Sequence, residues 1–216
     1  MLERLKTLNP DIEFFSVYDK EFAPFGRVIT DFDASSIIEA AKKIKKPDQG
    51  AAYVASEESF EALPAAKEIE KRFFGTLPAQ AGYCWGYNTM MNATEWHTAS
   101  EINITITPLV LILGHIWDIE NNTIDSSKFK AFYVPAGVTL EAYATSLHYC
   151  ACQVSDEGFG CYIGLPKGTN TSLEEKTEDA LLVAKNKWLI AHTENTQMVN
   201  DGCVGGITGV NFEIKY

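Results

Sequence analysis

The sequence predicts a mainly β protein, a barrel or sandwich, with a mixed α/β layer at its N-terminus. Three observations carry this. From Gln80 onward, short runs of β-forming residues recur between Asn, Asp, Gly and Pro turns. Before residue 80 the apolar spacing is helical. No long-period repeat or linker-like stretch interrupts the 216 residues, so the chain reads as one domain: an N-terminal extension over 1–79 packed on a barrel over 80–216.

In the extension, Asp33–Lys46 opens on cap-type residues and carries a stripe of Ile37, Ile38, Ala41 and Ile44, which predicts a helix stopped at Pro47. Tyr53–Ala55 is a short strand candidate. Ser59–Phe74 predicts a second helix, interrupted or restarted at Pro64 and ended by Gly75 and Pro78. The barrel strands are predicted at Gln80–Asn88, Asn92–His97, Ile102–Thr107, Val110–His115, Ala131–Val134, Thr139–Tyr143, His148–Val154, Gly160–Leu165, Asn186–His192 and Val210–Tyr216. Gly168–Asp179 is polar and turn-rich, the segment predicted to be most mobile. Gly202–Gly209 reads as a glycine-rich bend without phosphate-loop spacing.

Composition narrows the function classes. With a net charge of −11, the chain is a poor partner for nucleic acid or anionic membrane, and a small polar molecule is the expected ligand. The longest apolar run, Pro108–Gly114, is too short to span a bilayer, and the first residues lack a signal-peptide pattern. Five cysteines without a dense framework fit a reducing compartment, so a cytoplasmic location is expected. Exposed strand edges make a homodimer a candidate assembly.

The chemistry concentrates in Thr94–Gly114. Glu95 and His97, two apart, share one side of a strand. After a turn, Glu101, Asn103, Thr105 and Thr107 share one face of the next strand and Ile102, Ile104 and Ile106 take the other. A polar face lines a pocket only if it looks into a barrel. In Pro135–Gln153, Thr139, Glu141 and Tyr143 lie on one face, and His148 opens the following strand. Two imidazoles and two carboxylates from these segments make a candidate site for a divalent ion: zinc, manganese, iron or nickel. The metal candidates are Glu95, His97, Glu101 and His148. Glu141, Tyr143 and Lys187 are the candidate catalytic groups, with Gln80 and Asn103 as further neighbours of a substrate.

Plainer readings compete with these. Glu95 and His97 also fit a surface pair, His148 a core histidine bonded to a carbonyl, and Glu141 a solvated strand face. His115 and His192 read as structural, and the four tryptophans as core. No Ser-His-Asp or Cys-His constellation has readable spacing.

Glu95-x-His97-x3-Glu101, closed by Gly114, resembles the first motif of the cupins, with Glu95 where that motif has its first His. Tyr143–His148 resembles a worn second motif, with Tyr143 and Thr145 in place of its Pro and Gly. Over most of the chain, stretches such as GRVI (26–29), QAGYCWGYN (80–88), EWHTASEIN (95–103), WDIENNTIDSSK (117–128), CQVSDEGF (152–159) and NKWLIAH (186–192) resemble an uncharacterised bacterial cupin-like family. The resemblance extends locally to ureidoglycolate lyase and the sugar-isomerase cupins. It implies a cupin barrel and a metal-dependent isomerase or lyase acting on a small carbohydrate or carbohydrate-derived acid. The alternative is a cupin that binds a sugar or metabolite without turnover. Four converging groups around an ion favour the enzyme; a dry pocket, or a lysine paired with Glu95, favours binding alone.

Overall fold

A computed structural model describes residues 1–175 and 177–216. The architecture follows from which faces the strands bury. Leu109–His115 is apolar on both faces, as a strand covered on both sides must be. Leu109, Leu111 and Leu113 point into the barrel beside Phe132, Leu140 and Ile163. Val110 points the opposite way, toward Ile190 and Ile207. Glu101–Thr105 divides differently. Ile102 and Ile104 pack outward against Ile37, Phe60 and Ile69 of the helices. Its polar residues face the barrel interior, so the wet face expected from the alternation looks inward.

These choices stack four layers. A six-stranded sheet, in the order 26–29, 139–142, 101–105, 159–166, 79–86, 51–54, forms one barrel wall. A five-stranded sheet built on 109–115 and 130–134 forms the other. Helices Ser35–Ala41, Glu58–Glu61 and Pro64–Phe73 cover the first wall. A second five-stranded sheet, containing Ala93–Trp96 and Lys187–His192, covers the other. The molecule is thus a mainly β barrel with an α/β extension.

The extension is less separate than predicted. Phe14–Ser16 pairs in parallel with Ala131–Tyr133, Gly26–Ile29 pairs with Thr139–Ala142, and Ala51–Val54 pairs with Tyr83–Gly86. The first 79 residues therefore supply three edge strands as well as helices, which covers backbone groups the barrel would otherwise expose. The predicted helix over 33–46 shortens to Ser35–Ala41, and Pro64 splits the second helix by starting a new one.

Three expectations need correcting. Gly205–Thr208, read as a bend, is a strand between 187–192 and 124–125, whereas Val210–Tyr216 forms only an isolated bridge at Glu213. Gly206 explains the first: a Cβ there would meet the Asn122 carbonyl oxygen at 2.2 Å, so a strand passing this close needs glycine. His148 does not open a strand either; it lies between the short pieces Ser146–Leu147 and Cys152–Gln153. Within the predicted mobile loop, Lys176 lies outside the described residues.

Candidate metal centre

Backbone pairing brings the two motif segments together. Glu95 and His148, 53 residues apart, face each other in an isolated antiparallel bridge. The Glu95 N–H donates to the His148 carbonyl at 2.6 Å, and the His148 N–H donates to the Glu95 carbonyl at 3.0 Å. Residues directly opposed in such a pair project to one side. His97 follows two residues after Glu95, and Glu101 enters from the first residue of its own strand. All four are buried. Ligand atoms of Glu95, His97 and His148 lie within 4.8 Å of one another. Glu101 Oε2 touches both imidazoles, 3.5 Å from His148 Nε2 and 3.8 Å from His97 Nε2. The fourth predicted group is therefore at the site but outside that three-residue set.

Each imidazole is oriented from behind. His97 Nδ1 lies 2.7 Å from the Asn186 carbonyl and His148 Nδ1 lies 3.0 Å from the Ser146 carbonyl. A carbonyl accepts only, so both Nδ1 atoms carry the proton and both Nε2 atoms face the cavity. Asn186 does this from a left-handed conformation, φ 55°, in the tight turn before Lys187–His192, and its side chain also accepts from the Thr98 N–H and hydroxyl. Sequence reasoning took Asn186 as a strand start; its position at a reversal was the available signal.

The electrostatics are those of closely packed buried imidazoles and carboxylates. Burial lowers the His97 pKa, and the neighbouring His148 charge lowers it further. For His148, burial also pulls downward, but the Glu101 carboxylate more than reverses this and leaves it raised to about 9. For Glu101, burial pushes upward, and attraction to His148 prevails and holds it below the usual carboxylate range. Asn103 Nδ2 donates to Glu101 Oε1 at 3.0 Å. His97 Nε2, His148 Nε2 and Glu95 Oε2 have no hydrogen-bond partner among the described residues. Lys187 Nζ is 2.5 Å from Glu95 Oε2, an ion-pair contact without hydrogen-bond alignment. Unmet buried groups cost about 1–3 kcal/mol each, and here they converge on one point. A divalent cation satisfies them together, and two imidazoles with a carboxylate suit zinc or iron(II). The donor set therefore fits a metal.

The centre sits at the polar end of a cavity of about 190 Å³. Glu95, Glu101, Asn103, His148 and Lys187 line that end, and Leu111, Leu113, Ala142, Ala151 and Ile163 line the rest. Tyr53, Tyr149 and Asn170 also reach the cavity, and none of these was expected from the sequence.

Two predicted catalytic groups do not reach it. Ala142 lines the cavity, so Glu141, its neighbour on the strand, points to the opposite face. There it pairs with Arg27 at 2.7 Å on the adjoining strand. Tyr143, half-buried, is also absent from the lining, and its N–H donates to the Phe25 carbonyl. Lys187 alone of the three enters the cavity. Gln80 is elsewhere too: it accepts from the Gly168 N–H and donates to the Thr169 carbonyl, anchoring the start of the polar loop. His115 is sandwiched between Phe25 and Trp117, each about 4.1 Å away, and His192 is buried away from the cavity.

Fold and site together define a mainly β barrel with a candidate two-histidine, carboxylate metal centre. The chain belongs to the family described as a domain of unknown function, DUF4867, whose model matches residues 14–212. No curated protein matches it. Solved structures similar to it include oxalate decarboxylase studied for proton-coupled electron transfer, at 11% identity and TM-score 0.36, covering 58% of this chain and 28% of that one. Another is the Bacillus subtilis oxalate decarboxylase studied for its Mn(II) centres, at 11% identity and TM-score 0.33, covering 56% and 28%. The chain thus spans little more than a quarter of the length of those structures. Among the described residues, no helix is long and apolar enough to cross a membrane.

Proposed function

We propose that this protein is a metal-dependent cupin enzyme acting on a small oxygenated substrate by isomerase- or lyase-type chemistry, in which a proton leaves carbon next to a carbonyl. The observation that carries the reading is the convergence of His97 Nε2, His148 Nε2 and Glu95 Oε2, buried and without hydrogen-bond partners, at the end of a cavity. Glu95, His97 and His148 would hold the ion, with Glu101 against both imidazoles. A bound divalent ion would supply Lewis acidity toward a substrate oxygen. The chain's own groups do the rest. Asn186 and Ser146 fix the imidazoles, Asn103 fixes Glu101, and Lys187 at the polar end offers an ammonium to an anionic oxygen. A carbohydrate-derived acid remains within this reading, and its acid half is the part that Lys187 favours.

A second reading has its own observation. Lys187 is paired with Glu95, the arrangement expected of a pocket that binds without turnover. Proton NMR in D2O separates the two. Metal-loaded protein incubated with small oxo- and hydroxy-acids should exchange the hydrogen next to the carbonyl for deuterium, and Lys187→Met should slow this by at least tenfold. Saturable binding with no exchange for any acid bound would establish the binding-only reading.

A further inference from the structure

The cavity walls say more about the ligand than the centre does. Away from the carboxylates and imidazoles, one side of the wall is Leu111, Leu113, Ala142, Ala151 and Ile163, together with cysteine thiols that behave as small apolar groups, and another side carries Tyr53, Tyr149 and Asn170. Asn103 at the polar end is already used: its Nδ2 donates to Glu101, and its Oδ1 lies 3.3 Å from the Cys161 thiol. Asn170 Nδ2 donates to the Tyr53 hydroxyl at 2.9 Å, which leaves Asn170 Oδ1 as a free acceptor on that side. A polyhydroxylated sugar placed here would turn hydroxyls toward the Leu111, Leu113, Ala142, Ala151 and Ile163 side, which offers no partner, and Asn170 Oδ1 and two tyrosine hydroxyls across from it could meet only some of the rest. Each such hydroxyl weakens binding by about tenfold or more. An aliphatic body suffers no such loss and gains from burial.

Size and charge narrow the class further. The cavity of about 190 Å³ is somewhat larger than the roughly 150 Å³ that takes a six-atom ring such as benzene. At its polar end, a divalent ion would balance Glu95 and Glu101. The Lys187 ammonium is then the uncompensated charge, in a place largely shielded from water. Such a site selects a ligand with one negative charge.

We propose that the ligand is a small organic monoanion with a short aliphatic body, an oxo- or hydroxy-acid of roughly six to nine non-hydrogen atoms, whose oxygens lie at the carboxylate–imidazole end and whose carbons lie against Leu111, Leu113 and Ile163. This deepens the metal-centre reading and rests on it for the charge balance. It replaces the expected sugar by a less hydroxylated acid.

Calorimetry with four probes tests it: 4-methyl-2-oxopentanoate, pyruvate, D-erythronate, a polyhydroxylated acid of the same size as the first, and neutral 4-methyl-2-pentanone, on protein whose metal content is measured first. The expected order is 4-methyl-2-oxopentanoate tightest, with pyruvate, which lacks the aliphatic end, at least tenfold weaker. Erythronate and the neutral ketone should be weaker by a similar factor or more. Lys187→Met should weaken 4-methyl-2-oxopentanoate at least tenfold while leaving the ketone unchanged. Erythronate binding as tightly as 4-methyl-2-oxopentanoate overturns the proposal, as does metal-loaded protein that binds neither. Protein that takes up no metal overturns the metal reading instead. On that protein the preference for 4-methyl-2-oxopentanoate over erythronate, two anions of equal charge, still decides the aliphatic body, its presence supporting the proposal and its absence overturning it.

Discussion

At the scale of single residues, the site is defined by what stands behind each ligand. His97 and His148 each give their Nδ1 proton to a backbone carbonyl, leaving Nε2 as the atom that faces a metal. His115 sits outside both motifs between two aromatic rings. His97→Ala and His148→Ala should therefore lower metal occupancy by at least tenfold after identical dialysis, and His115→Ala should leave it within twofold. Equal metal content in all three variants would remove these imidazoles from the site. Protons give a second prediction. The His148 pKa, raised to about 9, means that this imidazole carries a proton at pH 7.5 in metal-free protein. That proton must leave before Nε2 can bind an ion, so occupancy should fall as pH falls. Calorimetry of the parent protein at pH 7.5 in buffers of different ionisation enthalpy should give release of about one proton per ion, and binding without proton release would contradict the assignment.

These residues were readable in advance to different degrees. Spacing placed Glu95, His97 and Glu101 together because they sit within one short segment, where strand parity is dependable, and the resemblance of Tyr143–His148 to a second motif joined His148 to them. Glu141 and Tyr143 were misplaced because parity says which residues share a face, not which face looks inward. Ala142, the small residue between them, is the one that fills the inner position. Asn186, Tyr53, Tyr149 and Asn170 come from segments remote in sequence and had no motif to announce them.

At the scale of elements, Glu101–Thr105 joins the site to the core. Its inward face carries Glu101 and Asn103, and its outward face carries Ile102 and Ile104 against the helices. Ile104 is fully buried. Ile104→Ala should destabilise the protein by about 2–4 kcal/mol in urea denaturation, with metal content per folded molecule unchanged because the side chain lies on the other face. Loss of metal from the folded variant would mean that strand position, not only side-chain identity, tunes the site. The polar loop over 168–179 is fastened at its start by Gln80 and carries a Glu174–Lys185 ion pair at its surface. Exposed pairs of this kind contribute little. Hydrogen exchange should be faster across the described part of this loop than across Ile102–Thr105, and equal protection would refute the prediction. The strands of the barrel were legible because alternation and turn residues repeat. Phe14–Ser16 and Gly26–Ile29 were not, since three- and four-residue edge strands carry too few residues to show a period, and their pairing partners lie more than 100 residues away.

At the scale of the whole molecule, four layers isolate one polar cavity. The helices cover one barrel wall, a second sheet covers the other, and the N-terminal strands cover the edges. This enclosure makes buried carboxylates and imidazoles costly unless something compensates them. Lys187 and a protonated His148 do so in the metal-free chain; a divalent ion would do so in the form we propose to be active. The account stands on that ion. The most direct measurement is elemental analysis of protein purified without chelators or affinity metal, with one reconstitution by zinc, manganese, iron(II) and nickel. Close to one divalent ion per chain is expected, lost in His97→Ala and His148→Ala. No metal in the parent protein, either as purified or after reconstitution with any of the four, would contradict it.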